Sequence, residues 1–229
     1  MSEGHFLVGL PLFCLGKLTT ALEHLEQGDD NPVGPAWHAL LLWHLGYPEQ
    51  ARQEMNKSLT RKFRSILSRA ITFMCASTLS QLCREWDDAQ QQAAVVMAHG
   101  AEHELTLLLA QGTFLHGHAL IALGQTTKGI EQLQQGLAAY LETGAEVWRP
   151  MYLSMFAAAC EQRGQIVGGL DHVTEALEIV ETTQERWWEP ELYRQRGVLL
   201  LELSSGNHTE AESCFHQALE VARAQQAKS

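Results

Sequence analysis

Small and large apolar residues alternate at a fixed spacing behind each of six turn-like positions. Gly16 stands five residues before Ala21, Gly46 before Ala51, Arg84 before Ala89, Gly124 before Gly129, Gly164 before Gly169, and Gly206 before Ala211. Behind each small residue the apolar pattern continues at +4, +7 and +8. It reads Ala51, Met55, Ser58, Leu59, then Ala89, Ala93, Val96, Met97, then Gly129, Leu133, Gly136, Leu137. The last two copies are Gly169, Val173, Ala176, Leu177 and Ala211, Phe215, Ala218, Leu219. Such spacing is one stripe of an α-helix. The small residues admit a partner helix closely, and the large ones fill the space beside it. The six markers lie 30, 38, 40, 40 and 42 residues apart, which predicts an array of helical repeats.

The pattern predicts twelve helices, at 4–15 and 17–28, 35–45 and 48–61, 66–83 and 87–99, 102–123 and 125–143, 147–163 and 165–184, and 188–204 and 208–225. Paired, they give one all-α domain over 1–229, with repeats near 4–28, 35–61, 66–99, 102–143, 147–184 and 188–225. The turns carry a helix-ending glycine followed by a helix-start signal, most clearly at Gly46-Tyr47-Pro48-Glu49. Arg84-Glu85-Trp86-Asp87 does the same without glycine, with Asp87 as the expected N-cap. Asp29-Asp30-Asn31-Pro32 and Thr143-Gly144-Ala145 are expected inter-repeat turns, and Pro11 is expected to kink or shorten the first helix. No strand pattern occurs.

The formal charge of −11 argues against a nucleic-acid footprint. The short basic run of Lys57, Arg61, Lys62 and Arg64 reads as a solvated turn. Five cysteines without a Cys-x-x-Cys pair fit buried core thiols in a reducing compartment. The apolar run 6–15 is too short to span a bilayer and lacks the flanks of a signal peptide. A cytoplasmic location is therefore expected.

Chemistry-bearing motifs are scarce. Gly16-Lys17-Leu18-Thr19 is no phosphate loop, because position 11 is Pro and Leu follows the lysine. Among eleven histidines, His99 and His103 are four apart, but Gly100 is expected to break the helix between them. His116 and His118, and His38 and His44, are spaced off a single helical face. No metal or cofactor site is expected, and no nucleophile motif suggests an enzyme. Trp86, Trp148, Trp187 and Trp188 read as packing between units.

Turn glycine, alanine, aromatic and alanine at Gly206, Ala211, Phe215 and Ala218 match the second half of a tetratricopeptide (TPR) repeat, although these units exceed its usual length. The chain so resembles a right-handed α-solenoid of about six TPR-like hairpins. A closer resemblance lies in Leu123-Gly124-Gln125, Gly129-Ile130-Glu131-Gln132-Leu133, Gly136-Leu137-Ala138-Ala139-Tyr140 and Arg149-Pro150. It continues in Glu185-Arg186-Trp187-Trp188-Glu189, Glu191-Leu192-Tyr193-Arg194 and Gln217-Ala218-Leu219-Glu220-Val221-Ala222-Arg223. These stretches resemble the TPR-like C-terminal region of large bacterial signalling ATPases of the STAND/AAA type, in which a nucleotide cyclase or DNA-binding domain accompanies the ATPase. The resemblance implies a regulatory arm; the ATPase and cyclase residues themselves are not in this chain.

In TPR arrays the first helix of each hairpin lines a concave groove. Counting back from each turn marker gives the candidate groove residues Trp43, Met74, Thr78, Gln81, Gln111, Phe114, His118, Met151, Ser154, Glu161, Glu191 and Arg194. Only Arg194 suits a clamp for a peptide carboxylate, so an apolar protein segment is the expected occupant. A protein or peptide partner, such as the chain's own upstream ATPase or cyclase module, is favoured over a metabolite sensed in the groove. The apolar first and last helices also suit a homodimer.

Overall fold

The computed structural model describes residues 2–27 and 31–228. The expected turn residues Asp29 and Asp30 lie outside the described residues. Twelve α-helices are present among them: α1 (Ser2–Cys14), α2 (Leu18–Glu26), α3 (Gly34–His44), α4 (Pro48–Thr60), α5 (Ile66–Leu82) and α6 (Trp86–Glu102). They continue with α7 (Thr106–Ala122), α8 (Thr126–Glu142), α9 (Arg149–Gln162), α10 (Ile166–Thr183), α11 (Glu189–Leu203) and α12 (His208–Gln225). The described residues contain no strand. Helix α1 runs through Pro11 to Cys14.

One turn chemistry recurs at five of the six turn markers. At Gly46 the amide donates to the Trp43 carbonyl at 2.9 Å, and the Tyr47 amide donates to Leu42 at 2.9 Å. That pair of bonds is a Schellman closure, which uses carbonyls that the helix end leaves orphaned. Gly16 with Lys17, Arg84 with Glu85, Gly124 with Gln125 and Gly164 with Gln165 make the same pair. All five markers sit in the left-handed region, Gly46 at φ 84° and Arg84 at φ 60°. The following helix begins at once: the Ala51 amide bonds the Tyr47 carbonyl, and Gly129 bonds Gln125 in the same way. This explains the five-residue spacing, because the small residue is the first of the new helix to face the old one. Two details differ from expectation. Asp87 lies inside the first turn of α6, whose N-cap is Glu85. The Gly206 turn is a 3₁₀ segment, Ser205–Asn207, entered through a Ser204 hydroxyl that accepts from the Gly206 amide.

The chain forms two compact units. One combines residues up to 10 with 20–145; the other combines 11–19 with 146–228. In the first unit the hairpins α3–α4, α5–α6 and α7–α8 follow one another, with α3 beside α5 and α5 beside α7. In the second, the hairpins are α9–α10 and α11–α12, with α9 beside α11.

Small residues set how closely paired helices approach. A Cβ on Gly117 would lie 2.7 Å from the Gly129 carbonyl oxygen, and one on Gly129 would lie 2.6 Å from the Gly117 oxygen. A Cβ on Gly136 would meet the Phe114 backbone nitrogen at 2.6 Å. No side chain fits at such separations, so α7 and α8 touch backbone to backbone. The stripe predicted from sequence is the buried face: Ala51, Ala89, Ala93, Val96, Leu133, Val173 and Ala176 are fully enclosed. The residues at +8 sit half-buried at its edge, except Leu219, which is exposed.

Gly136→Ala is therefore expected to destabilise the protein by about 1–3 kcal/mol through overpacking. Gly168, inside α10 with only Cys160 Sγ at 3.9 Å from its would-be Cβ, is the control. Gly168→Ala is expected to be neutral or stabilising by up to about 1 kcal/mol. Urea unfolding of the two variants separates the effects.

Candidate interaction surface

The candidate groove positions divide sharply by burial. Met74, Thr78, Gln81, Gln111, Phe114, Met151 and Ser154 are buried, Phe114 completely. Trp43, His118, Glu161 and Glu191 are half-buried and Arg194 is exposed. The apolar members of the set thus serve packing within the hairpins, and the polar ones largely satisfy each other.

In the first unit, Gln81 on α5 bridges to α7. Its Nε2 donates to the Leu115 carbonyl at 3.1 Å, and its Oε1 stands 2.6 Å from His118 Nδ1. The acceptor places the ring proton on Nδ1, and desolvation holds His118 down to about 4. Trp86 meets the same ring edge-on at 5.8 Å. Thr78 donates to the Met74 carbonyl of its own helix at 3.0 Å. Trp43 packs edge-on against His44, which burial pushes down to about 3.

In the second unit, the Ser154 hydroxyl donates to Gln195 Oε1 at 2.9 Å, and Gln195 Nε2 returns a bond to the Ser154 carbonyl at 3.0 Å. A buried glutamine thus stitches α9 to α11, as Gln81 stitches α5 to α7. Sequence reasoning missed Gln195; its place on the apolar face between Leu192 and Leu199 was the available signal. Arg194 donates to Glu191 at 2.6 and 2.7 Å. Glu161 has its carboxyl raised by burial and by Glu202, while Arg194 opposes the shift. Glu161, Glu191, Glu202 and Arg194 thus gather charge, net acidic, on the α9 and α11 helices.

A second buried constellation was also unforeseen. Glu185 is 6% exposed, and its carboxylate accepts the Trp148 amide at 2.9 and 3.0 Å and the Trp187 indole N–H at 2.8 Å. Trp148 itself is held at φ 78°, a strained conformation for a bulky residue. Phe13 packs on Trp187 at 5.0 Å, and the Cys14 carbonyl accepts the Arg186 and Trp187 amides. Burial, with Glu185 nearby, pushes the Cys14 thiol up to about 12, so it is inert as a nucleophile. The tryptophans read as packing residues do pack, with residues 11–19 of this unit completing the cluster.

The expected helix break at Gly100 is corrected. Helix α6 continues through Gly100 to Glu102, because that glycine is a contact residue: its Cβ would meet the Leu109 backbone at 2.6 Å. His99 and His103 consequently share a face, their rings stacked 6.1 Å apart. The five cysteines are free thiols. Among the described residues no helix is long and apolar enough to cross a membrane.

The class that this architecture defines is the all-α solenoid of TPR-like helical hairpins. No protein-family model matches the chain. In sequence it is 26% identical over 194 residues to an uncharacterized protein, R02095, of Rhizobium meliloti (strain 1021), covering 83% of this chain and 19% of that protein. The chain thus spans about a fifth of the length of that relative. In structure it is similar to the apo form of RapI, with a TM-score of 0.58 at 11% identity and 98% of each chain covered. Aspartyl phosphate phosphatase F from Bacillus subtilis gives a TM-score of 0.60 at 11% identity, covering 94% of this chain and 59% of that one. A putative kinesin light chain of Podosopora anserina with nearly identical TPR-like repeats gives 0.50 at 18% identity, with 86% and 97% covered. These likenesses share the fold.

The buried histidines make acid stability testable. His44 and His118 are neutral in the fold and take up a proton on unfolding below about 6.5, so their contribution is intact above that pH and is lost as pH falls toward 4. His118→Gln, which can still donate to Gln81, is expected to flatten the fall in urea midpoint between pH 6.5 and 4. An unchanged slope contradicts the assignment.

Proposed function

We propose that this chain is a non-catalytic protein-interaction scaffold, the cytoplasmic regulatory arm of a larger bacterial signalling protein built around a STAND-type ATPase or cyclase. The resemblance of residues from about 120 to 229 to such C-terminal regions supports this, as does a relative of which the match covers only 19%. The observation that carries the scaffold reading is the division of the candidate groove residues. Buried amides and hydroxyls such as Gln81 and Ser154 are engaged internally, whereas the acidic group around Glu161, Glu191 and Arg194 on α9 and α11 is only half-buried or exposed. Such a surface recognises a partner segment carrying positive charge, by electrostatic complementarity.

Co-purification with a STAND-type nucleotide-binding module of the proposed larger protein is expected to succeed. Glu161→Lys with Glu191→Lys is expected to weaken capture by about tenfold or more and to leave the unfolding midpoint nearly unchanged. Capture that persists undiminished in the double variant would refute the acidic surface; failure of the wild type to capture the module refutes the regulatory arm. Self-association through α1 is read separately, since Leu7 and Val8 are 70% and 45% exposed there. A concentration-dependent dimer in sedimentation, weakened by Leu7→Glu, is expected; a monomer at every concentration contradicts it.

A further inference from the structure

We propose that His99, Glu102 and His103 form a zinc-binding site at the C-terminal end of α6. Each offers a ligand atom, and the three atoms lie within 4.8 Å of one another. Two features of the fold create this arrangement. Helix α6 runs unbroken through Gly100, so residues 99 and 103 fall one turn apart on the same face with 102 beside them. The helix then stops, with His103 as its C-cap, so that the group stands where the helix dipole is negative and a cation is favoured.

The ligand set selects the metal. Two imidazoles and one carboxylate suit zinc, with a fourth position left for water, whereas magnesium and calcium demand oxygen ligands. Glu102 Oε2 already stands 3.7 Å from His103 Nε2. His99 Nδ1 is buried and lacks a hydrogen-bond partner, so Nε2 is the nitrogen it presents to an ion from solvent. The charged groups facing His99 are Arg69 from α5 together with Glu102 and His103 of its own segment. Arg69, set over the Phe73 ring at 5.7 Å, brings a positive charge that repels a bound dication.

The test is calorimetric titration of the full chain with zinc chloride at neutral pH. One saturable equivalent is expected, weakened by about tenfold or more in His103→Ala and abolished in His99→Ala with His103→Ala. Because His103 is exposed at the helix end, the single variant is expected to keep the wild-type unfolding midpoint, measured without metal. Arg69→Gln is expected to tighten binding several-fold, an effect that adventitious surface binding does not show. The proposal is overturned by absence of binding at millimolar zinc. It is equally overturned by a double variant that binds like the wild type, in which case another pair, such as His5 and His24 with their Nδ1 atoms 3.1 Å apart, holds the metal.

Discussion

Backbone contact between paired helices is the constraint on which the rest of this structure depends. Where Gly117 faces Gly129 and Gly136 faces Phe114, the space for a methyl group is already taken by the neighbouring main chain. Such proximity maximises dispersion contacts along α7 and α8 and leaves their larger side chains, Leu133 and Tyr140 among them, fully enclosed. It fixes the separation of the α7–α8 hairpin. In a repeat array, stability is a sum of such units and their interfaces.

The hairpins are set by turns as much as by packing. Closures with the same two hydrogen bonds deliver the second helix of five of the six hairpins in the same register, so in these one small residue arrives first at the contact. This is why the fold was legible from sequence. The glycines at 16, 46, 124 and 164 mark left-handed closures, and the apolar spacing behind them identifies the buried face. Arg84 shows that the closure does not require glycine, only a position that tolerates positive φ at the cost of roughly 1–2 kcal/mol. The same reasoning failed at Gly100 for a physical reason. A glycine inside a helix and a glycine ending one look alike in sequence, and only the nearby Leu109 backbone distinguishes them.

The interaction surface was far less legible. Counting from turn markers finds the inner helices, but burial on those helices depends on partners some 30 to 40 residues away in sequence. Gln81 reaches Leu115, Gln195 reaches Ser154, and Glu185 reaches Trp148. A buried glutamine and a solvated one share the same local pattern, and a buried carboxylate such as Glu185 carries no mark in its neighbours. Residues expected to offer an apolar lining, Met74, Phe114 and Met151, are committed to the core, and the accessible group is charged.

The central claim, that paired helices meet main chain to main chain at the small residues, is measured most directly by nuclear Overhauser contacts between α-protons. The account predicts strong cross-peaks from Gly117 to Gly129 and from Gly136 to Phe114 in the folded protein. Resolved α-proton signals without those cross-peaks, while contacts within each helix remain visible, would contradict it.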